Sequence, residues 1–158
     1  MPSPMIIQIK SPAWLIQFLQ SYFNCDSTIL FPTRHDFNSQ LDFLLTKQPI
    51  EWVYEDFGDQ TLNVQLPYFE NKDIRQNWYL SEKSQALFIS RASSFFRVIF
   101  NSEMNQSLNL GFNRKESMQI FQEKYNLGPG TNDMLEKSFS RYINIRRLKK
   151  SRKKKNSV

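Results

Sequence analysis

The feature that most restricts how this chain can fold is a run of like charge at its C-terminus. From Arg141 to Val158 there are nine cations, Arg141, Arg146, Arg147, Lys149, Lys150, Arg152, Lys153, Lys154 and Lys155, and no Asp or Glu. Lysine and arginine are almost never fully buried unless paired, so this stretch adds little to a core and the fold must be built from what precedes it. The whole chain holds 21 Lys and Arg against 15 Asp and Glu, which leaves residues 1–140 with 12 cations and all 15 acids. A mildly acidic body is thus followed by a strongly basic end. That contrast points to a polyanionic partner, nucleic acid in the first instance.

The body has enough apolar material to fold. Hydrophobic residues make up 40% of the chain and 14 of its 158 residues are Phe, a composition far from that of disordered segments. Cys25 is the single cysteine, which excludes an internal disulfide and a cysteine zinc site and fits a reducing compartment. A cytoplasmic location follows as the expectation, with nucleoid or virion association as the places where a nucleic-acid binder would be found. The first twenty residues carry Pro2, Pro4 and Pro12 without a basic leader, and no apolar run approaches the ~20 residues of a membrane span. No membrane partner is expected.

In chain order, Met5 to Ile9 is a short apolar strand, and Ser11-Pro12 is a helix start signal. Leu15, Phe18, Leu19, Tyr22 and Phe23 then form one helical stripe. Ile29 to Phe31 reads as a strand stopped by Pro32. Asp36 is a candidate cap for a second helix that carries Phe37, Leu41, Leu44 and Leu45, with Pro49 beyond it. Residues 50–54 and 62–66 both favour strand, and Asp56 to Gln60 between them supplies turn chemistry, so a β-hairpin is the natural reading. Residues 68–80 mix aromatics and charges without a period. Ser81 can cap a long helix whose stripe includes Leu87, Phe88, Arg91, Phe95, Val98 and Ile99 and which runs to about Met104, with the polar residues Asn105 to Gly111 as the boundary beyond it.

Two further helices are expected. Asn113 with Glu116 three residues on is a capping-box pattern, followed by Met118, Phe121 and Tyr125. Gly128-Pro129-Gly130 interrupts. Thr131 to Asp133 with Glu136 repeats the start signal, and Leu135, Phe139, Tyr142 and Ile143 share one face. The expected architecture is α+β: a small mixed sheet with a β-hairpin and three helices, then a two-helix, helix-turn-helix-like module and a basic tail. The expected boundaries are a body over 1–104, a linker over 105–112, the basic helical module over 113–150 and a disordered tail over 151–158.

Catalytic chemistry finds little footing. His35 is the only histidine, so neither a multi-histidine metal site nor a freely assembled triad is available, and a loop histidine near a helix start is the plainer reading. Cys25 reads as a packed thiol. None of the four glycines falls in a phosphate-loop pattern. The carboxylates around the hairpin, Glu51, Glu55, Asp56, Asp59, Glu70 and Asp73, are the one set that could hold a metal ion for phosphoryl transfer. They also suit a solvated hairpin, so a metal-dependent nuclease stands as the enzymatic alternative to a non-enzymatic protein. The aromatics Trp52, Tyr54, Phe57, Tyr68, Phe69, Trp78 and Tyr79, interleaved with acids, read as core and not as a stacking platform for bases.

The sharper expectation lies in the last helix. Lys137, Arg141 and Asn144 face outward from its apolar stripe and are placed nearest a DNA groove, Arg and Asn being suited to bidentate contacts with guanine and adenine. Arg146, Arg147, Lys149, Lys150, Arg152, Lys153, Lys154 and Lys155 are placed on the phosphates. DNA is favoured over RNA; no cofactor, metal or small-molecule substrate is indicated; a homo-oligomer is open. The alternative function is a structural or assembly protein, such as a small phage or mobile-element component. Its basic tail would contact nucleic acid or an acidic protein surface without reading sequence.

Overall fold

Strand β3 (Thr61–Gln65) is the centre of the N-terminal sheet, and its alternation decides which face is buried. In the computed structural model, which describes residues 4–53, 57–70 and 72–156, β3 runs antiparallel to β1 (Ile6–Lys10) and parallel to β2 (Thr28–Ile29), in the order β1-β3-β2. The register sets Ile7 opposite Val64 and Ile9 opposite Leu62, with Ile29 beside Val64. All five side chains are buried. A one-residue slip would turn each of them to the other face.

Helix α1 (Ala13–Tyr22) links β1 to β2, and α2 (Asp36–Leu44) lies between β2 and β3. Leu15, Phe18 and Leu19 of α1 are buried as their spacing predicts. The helix begins one residue later than expected, with Pro12 at its cap; Ser11 makes no cap bond and instead donates its backbone N–H to Gln60. The cap of α2 also shifts by one. His35, not Asp36, closes it: Nδ1 accepts the N–H of Phe37 at 3.1 Å. At the other end, Lys72 donates to the carbonyls of Asp42 and Leu45, where a cation offsets the helix dipole.

The expected hairpin is not present among the described residues. Both edges of β3 are taken, by β1 and β2, so residues 50–53 have no edge to pair with, and Ile50 is fully exposed. Tyr54, Glu55 and Asp56 lie outside the described residues. Nor do the aromatics of this region form a core: Trp52 and Tyr68 are exposed, and Trp78 is half-buried against Trp52, ring centroids 4.9 Å apart.

Helix α3 (Glu82–Asn109) is longer than its expected end near Met104, and Ser81 caps it by accepting the N–H of Ser84. Its buried positions are Phe88, Ala92, Phe96, Phe100 and Met104, a strict four-residue spacing. Leu87, Arg91 and Val98, expected on the stripe, are exposed. Two units divide within this helix, residues 1–94 and 95–158. In the first, Phe88 packs on Phe37 and Phe31 at 5.4 and 6.1 Å.

In the second unit, α4 (Arg114–Lys124) and α5 (Asn132–Asn156) follow α3. Phe121 meets Phe96 and Phe100 at 5.8 and 5.1 Å, and Tyr142 donates to Oδ1 of Asn105. The expected linker, 105–112, is helical through Asn109 and then turns at Gly111, whose φ of 97° is open to glycine at little cost.

Three helices end in the same way. Beyond α3, Phe112 donates to Ser107 and Gly111 to Leu108; beyond α4, Leu127 donates to Gln122 and Asn126 to Glu123; beyond α1, Cys25 donates to Gln20 and Asn24 to Ser21. Each is a Schellman pair around a left-handed residue, Gly111, Asn126 or Asn24.

Candidate nucleic-acid interface

All eleven residues expected to contact nucleic acid lie on α5. This helix does not fray at Ser151; it continues to Asn156. At 3.6 residues per turn, Lys137, Arg141 and Asn144 fall on the side away from the buried stripe of Leu135, Phe139 and Tyr142, and all three are exposed. Arg147 is exposed on the flank. Arg146 continues the line of the stripe and is half-buried. From Arg147 to Asn156 every residue is exposed, Leu148 included, so this last part of α5 presents Arg147, Lys149, Lys150, Arg152, Lys153, Lys154 and Lys155 around its circumference rather than along one face.

The start of α5 is held by α4. The Asn113 capping box forms as expected: Oδ1 accepts from Glu116 N–H at 2.8 Å, and the Glu116 carboxylate accepts from Asn113 N–H at 3.2 Å. The second expected box does not. Glu136 pairs with Arg114, and Thr131 donates to the Gly128 carbonyl at 2.6 Å. Gln122 near the end of α4 donates to Gly128 and to Oδ1 of Asn132 at 2.9 and 3.0 Å. Arg114 at the opposite end of α4 reaches Glu136 and Ser140. These pairings run antiparallel, and the connection takes residues 125–131, including a turn of 3-10 helix over Pro129–Thr131. A helix-turn-helix uses about three or four residues there.

Charge in this unit is lopsided. Residues 95–158 contain fourteen Lys and Arg against five Asp and Glu. Four of the five acids are engaged: Glu103 pairs with Lys124, Glu136 with Arg114, Glu116 closes the capping box, and Glu123 accepts from Gln119. Asp133 sits in the first turn of α5, where its charge suits the helix dipole.

Two concavities open on the unit. The larger, about 800 Å³, lies against α4 and the start of α5 and is lined by both signs of charge, Lys115 with Glu123 and Glu136. The smaller, about 290 Å³, gathers Arg141 and Asn144 with two residues the sequence reading passed over, Arg97 and Asn101 of α3. No acid lines it. The spacing of Arg97 and Asn101, four apart on a helix, was the available signal.

For the alternative chemistry, no three of His, Cys, Asp and Glu converge to hold a metal among the described residues. Asp73, one of the candidate carboxylates, accepts the N–H of Arg75. Cys25 donates to the Phe23 carbonyl at 3.4 Å. Among the described residues no helix is long and apolar enough to cross a membrane. No family model, no curated protein and no solved structure matches the chain.

Proposed function

We propose that this protein binds nucleic acid, DNA in preference to RNA, through α5, and that its role is binding and not catalysis. The observation that carries the reading is that α5 from Arg141 to Asn156 has nine cations and no acid, with eight of the nine exposed. Like charges three and four apart on a helix repel one another, and a polyanion relieves that repulsion while releasing its own counterions. Arg147 and the cations from Lys149 to Lys155 contact phosphates. Lys137, Arg141 and Asn144, on the folded part of the helix, are the side chains placed to meet bases. A reducing, intracellular compartment fits the single thiol Cys25.

Two observations favour a second reading, an assembly protein that holds nucleic acid or an acidic protein without reading sequence. The cations of residues 147–156 ring the helix instead of facing one groove, and the α4–α5 connection exceeds that of a helix-turn-helix. Self-association would then use exposed apolar residues of the first unit such as Phe43, Val53 and Tyr68.

Gel shifts at low salt test the main reading. The full chain is compared with a variant in which Lys149, Lys150, Arg152, Lys153, Lys154 and Lys155, all exposed, become Gln. The variant should lose most of its affinity for duplex DNA. Equal retention by the two proteins sinks the assignment, and binding without preference among duplex sequences supports the second reading.

A further inference from the structure

The small pocket of the second unit has a composition that the reading of α5 as a phosphate-binding helix does not require. Arg97 of α3 and Arg141 of α5 line the same pocket, both exposed, and neither side chain makes a hydrogen bond or ion pair among the described residues. Two like charges on one concavity repel. The unit holds acids that could have offset them, yet four of its five are committed elsewhere, to Lys124, to Arg114, to the α4 capping box and to Gln119. The pocket is therefore left with an uncompensated positive field and an anion is its natural occupant.

A bare phosphate would not use the rest of the lining. The exposed Ile145 gives the pocket an apolar portion, with the buried Phe100 beneath, and Asn101 and Asn144 offer amide donors and acceptors beside it. An apolar surface, amides and guanidinium groups together match a base attached to its phosphate. Unpaired bases stack on arginine planes as well as on aromatic rings, and amides read their edges. Size separates the forms of nucleic acid. At about 290 Å³ the pocket is at the lower limit of small-molecule sites, while a duplex meets proteins across a major groove about 12 Å wide. A paired base cannot enter; an unpaired one can.

We infer that the Arg97–Arg141 pocket holds one unpaired nucleotide, so that the protein prefers single-stranded or frayed nucleic acid to an intact duplex. This rests on the reading of α5 as the nucleic-acid-binding helix. Arg97 and Arg141 hold the phosphate, and Asn101 and Asn144 face the base.

The test is fluorescence anisotropy of the full chain with a short oligothymidylate and with a duplex of equal phosphate count, each competed by thymidine monophosphate and by polyglutamate. The single strand should bind more tightly by at least about fivefold, the lower end of what stacking one base supplies. Arg97→Ala should erase that margin and leave duplex binding nearly unchanged. Arg97→Lys, which keeps the charge without the planar fork, should restore only part of it. Replacing Lys149, Lys150, Arg152, Lys153, Lys154 and Lys155 by Gln, none of them lining the pocket, should weaken both probes together. The inference is overturned if the native chain shows no single-strand margin, if Arg97→Ala leaves the margin intact, or if polyglutamate competes as well as the oligonucleotide. In the first two cases duplex binding by α5 still stands. Failure of both probes to bind the native chain removes the assignment of α5 as well. Competition by thymidine monophosphate that Arg97→Ala abolishes supports the pocket and identifies a single nucleotide as sufficient; its absence at concentrations far above those of the oligonucleotide, with the margin still dependent on Arg97, supports a strand as the source.

Discussion

Arg114, in the first turn of α4, pairs with Glu136 of α5 and sets its guanidinium 4.7 Å from the centroid of the Phe139 ring. One side chain thereby ties the first turn of α4 to the early turns of α5. Arg114 and Glu136 are each about half exposed, so solvent screens the charge pair, worth at most ~1 kcal/mol, and the contact with the buried Phe139 ring adds ~0.5–1 kcal/mol. Arg114→Ala should lower the stability of the second unit by about 1 kcal/mol in urea titrations. High salt should remove only part of the difference between the two proteins, because the ring contact survives screening better than the ion pair.

The register of α3 makes a second, larger prediction. Phe100 is buried against Phe96 and Phe121, whereas Val98, two residues away, is 66% exposed. Phe100→Ala should cost ~3–5 kcal/mol through lost burial and the cavity left behind. Val98→Ala should change stability by less than ~0.5 kcal/mol and can raise it, alanine being the better helix former. Comparable losses for the two variants would mean that the buried stripe is misplaced.

That stripe also shows what the sequence could and could not reveal. Leu87, Phe88, Phe95, Val98 and Ile99 offered one helical face, and Phe88, Ala92, Phe96 and Phe100 another; Ala92 is small enough to escape a search for large apolar groups, yet it completes the face that is buried. Local signals were legible. The Asn113 capping box and the Ser81 cap depend on residues three apart and form as their spacing dictates. Nonlocal choices were not. The alternation of Leu62 and Val64 identified a strand, but nothing in residues 50–66 says that Ile9 and Ile29 will outcompete residues 50–53 for its two edges. The site divides along the same line. The charge of α5 is read directly from the chain, while the meeting of Arg97 with Arg141 depends on how α3 packs against α5.

His35 predicts a pH dependence for the first unit. Its Nδ1 must be unprotonated to accept the Phe37 N–H, and burial lowers its pKa from the ordinary 6.5, with neighbouring Asp36 acting in the opposite direction. The unfolded chain then takes up the proton more readily than the folded one. The contribution of His35 to stability is fully present above pH 6.5 and is lost as pH falls through the lowered folded value. Urea midpoints followed between pH 8 and pH 5 should fall on the acid side. In His35→Asn, an amide oxygen can take over the cap without titrating. This variant should be less stable throughout, having lost the ring contact with Phe23 at 5.1 Å, and its midpoint should vary less with pH.

The last prediction concerns how the end of α5 meets phosphates. Each phosphate neutralised on duplex DNA contributes about −0.9 to the slope of log affinity against log salt concentration. Lys153, Lys154 and Lys155 are exposed on successive sides of the helix, so a straight duplex cannot touch all three equally unless it or the helix bends. If all three make contact, replacing them with Gln should reduce the magnitude of the slope by roughly 2.7; if the helix lies with one face on the DNA, the reduction should be nearer 0.9. Single substitutions measured by anisotropy across a salt series distinguish the cases, since a cation turned away from the phosphates leaves the slope unchanged while its neighbours do not. Equal reductions from Lys153→Gln, Lys154→Gln and Lys155→Gln would mean that the duplex or the helix bends so that all three reach phosphates. One dominant lysine would mean that α5 presents a defined edge to a rigid duplex.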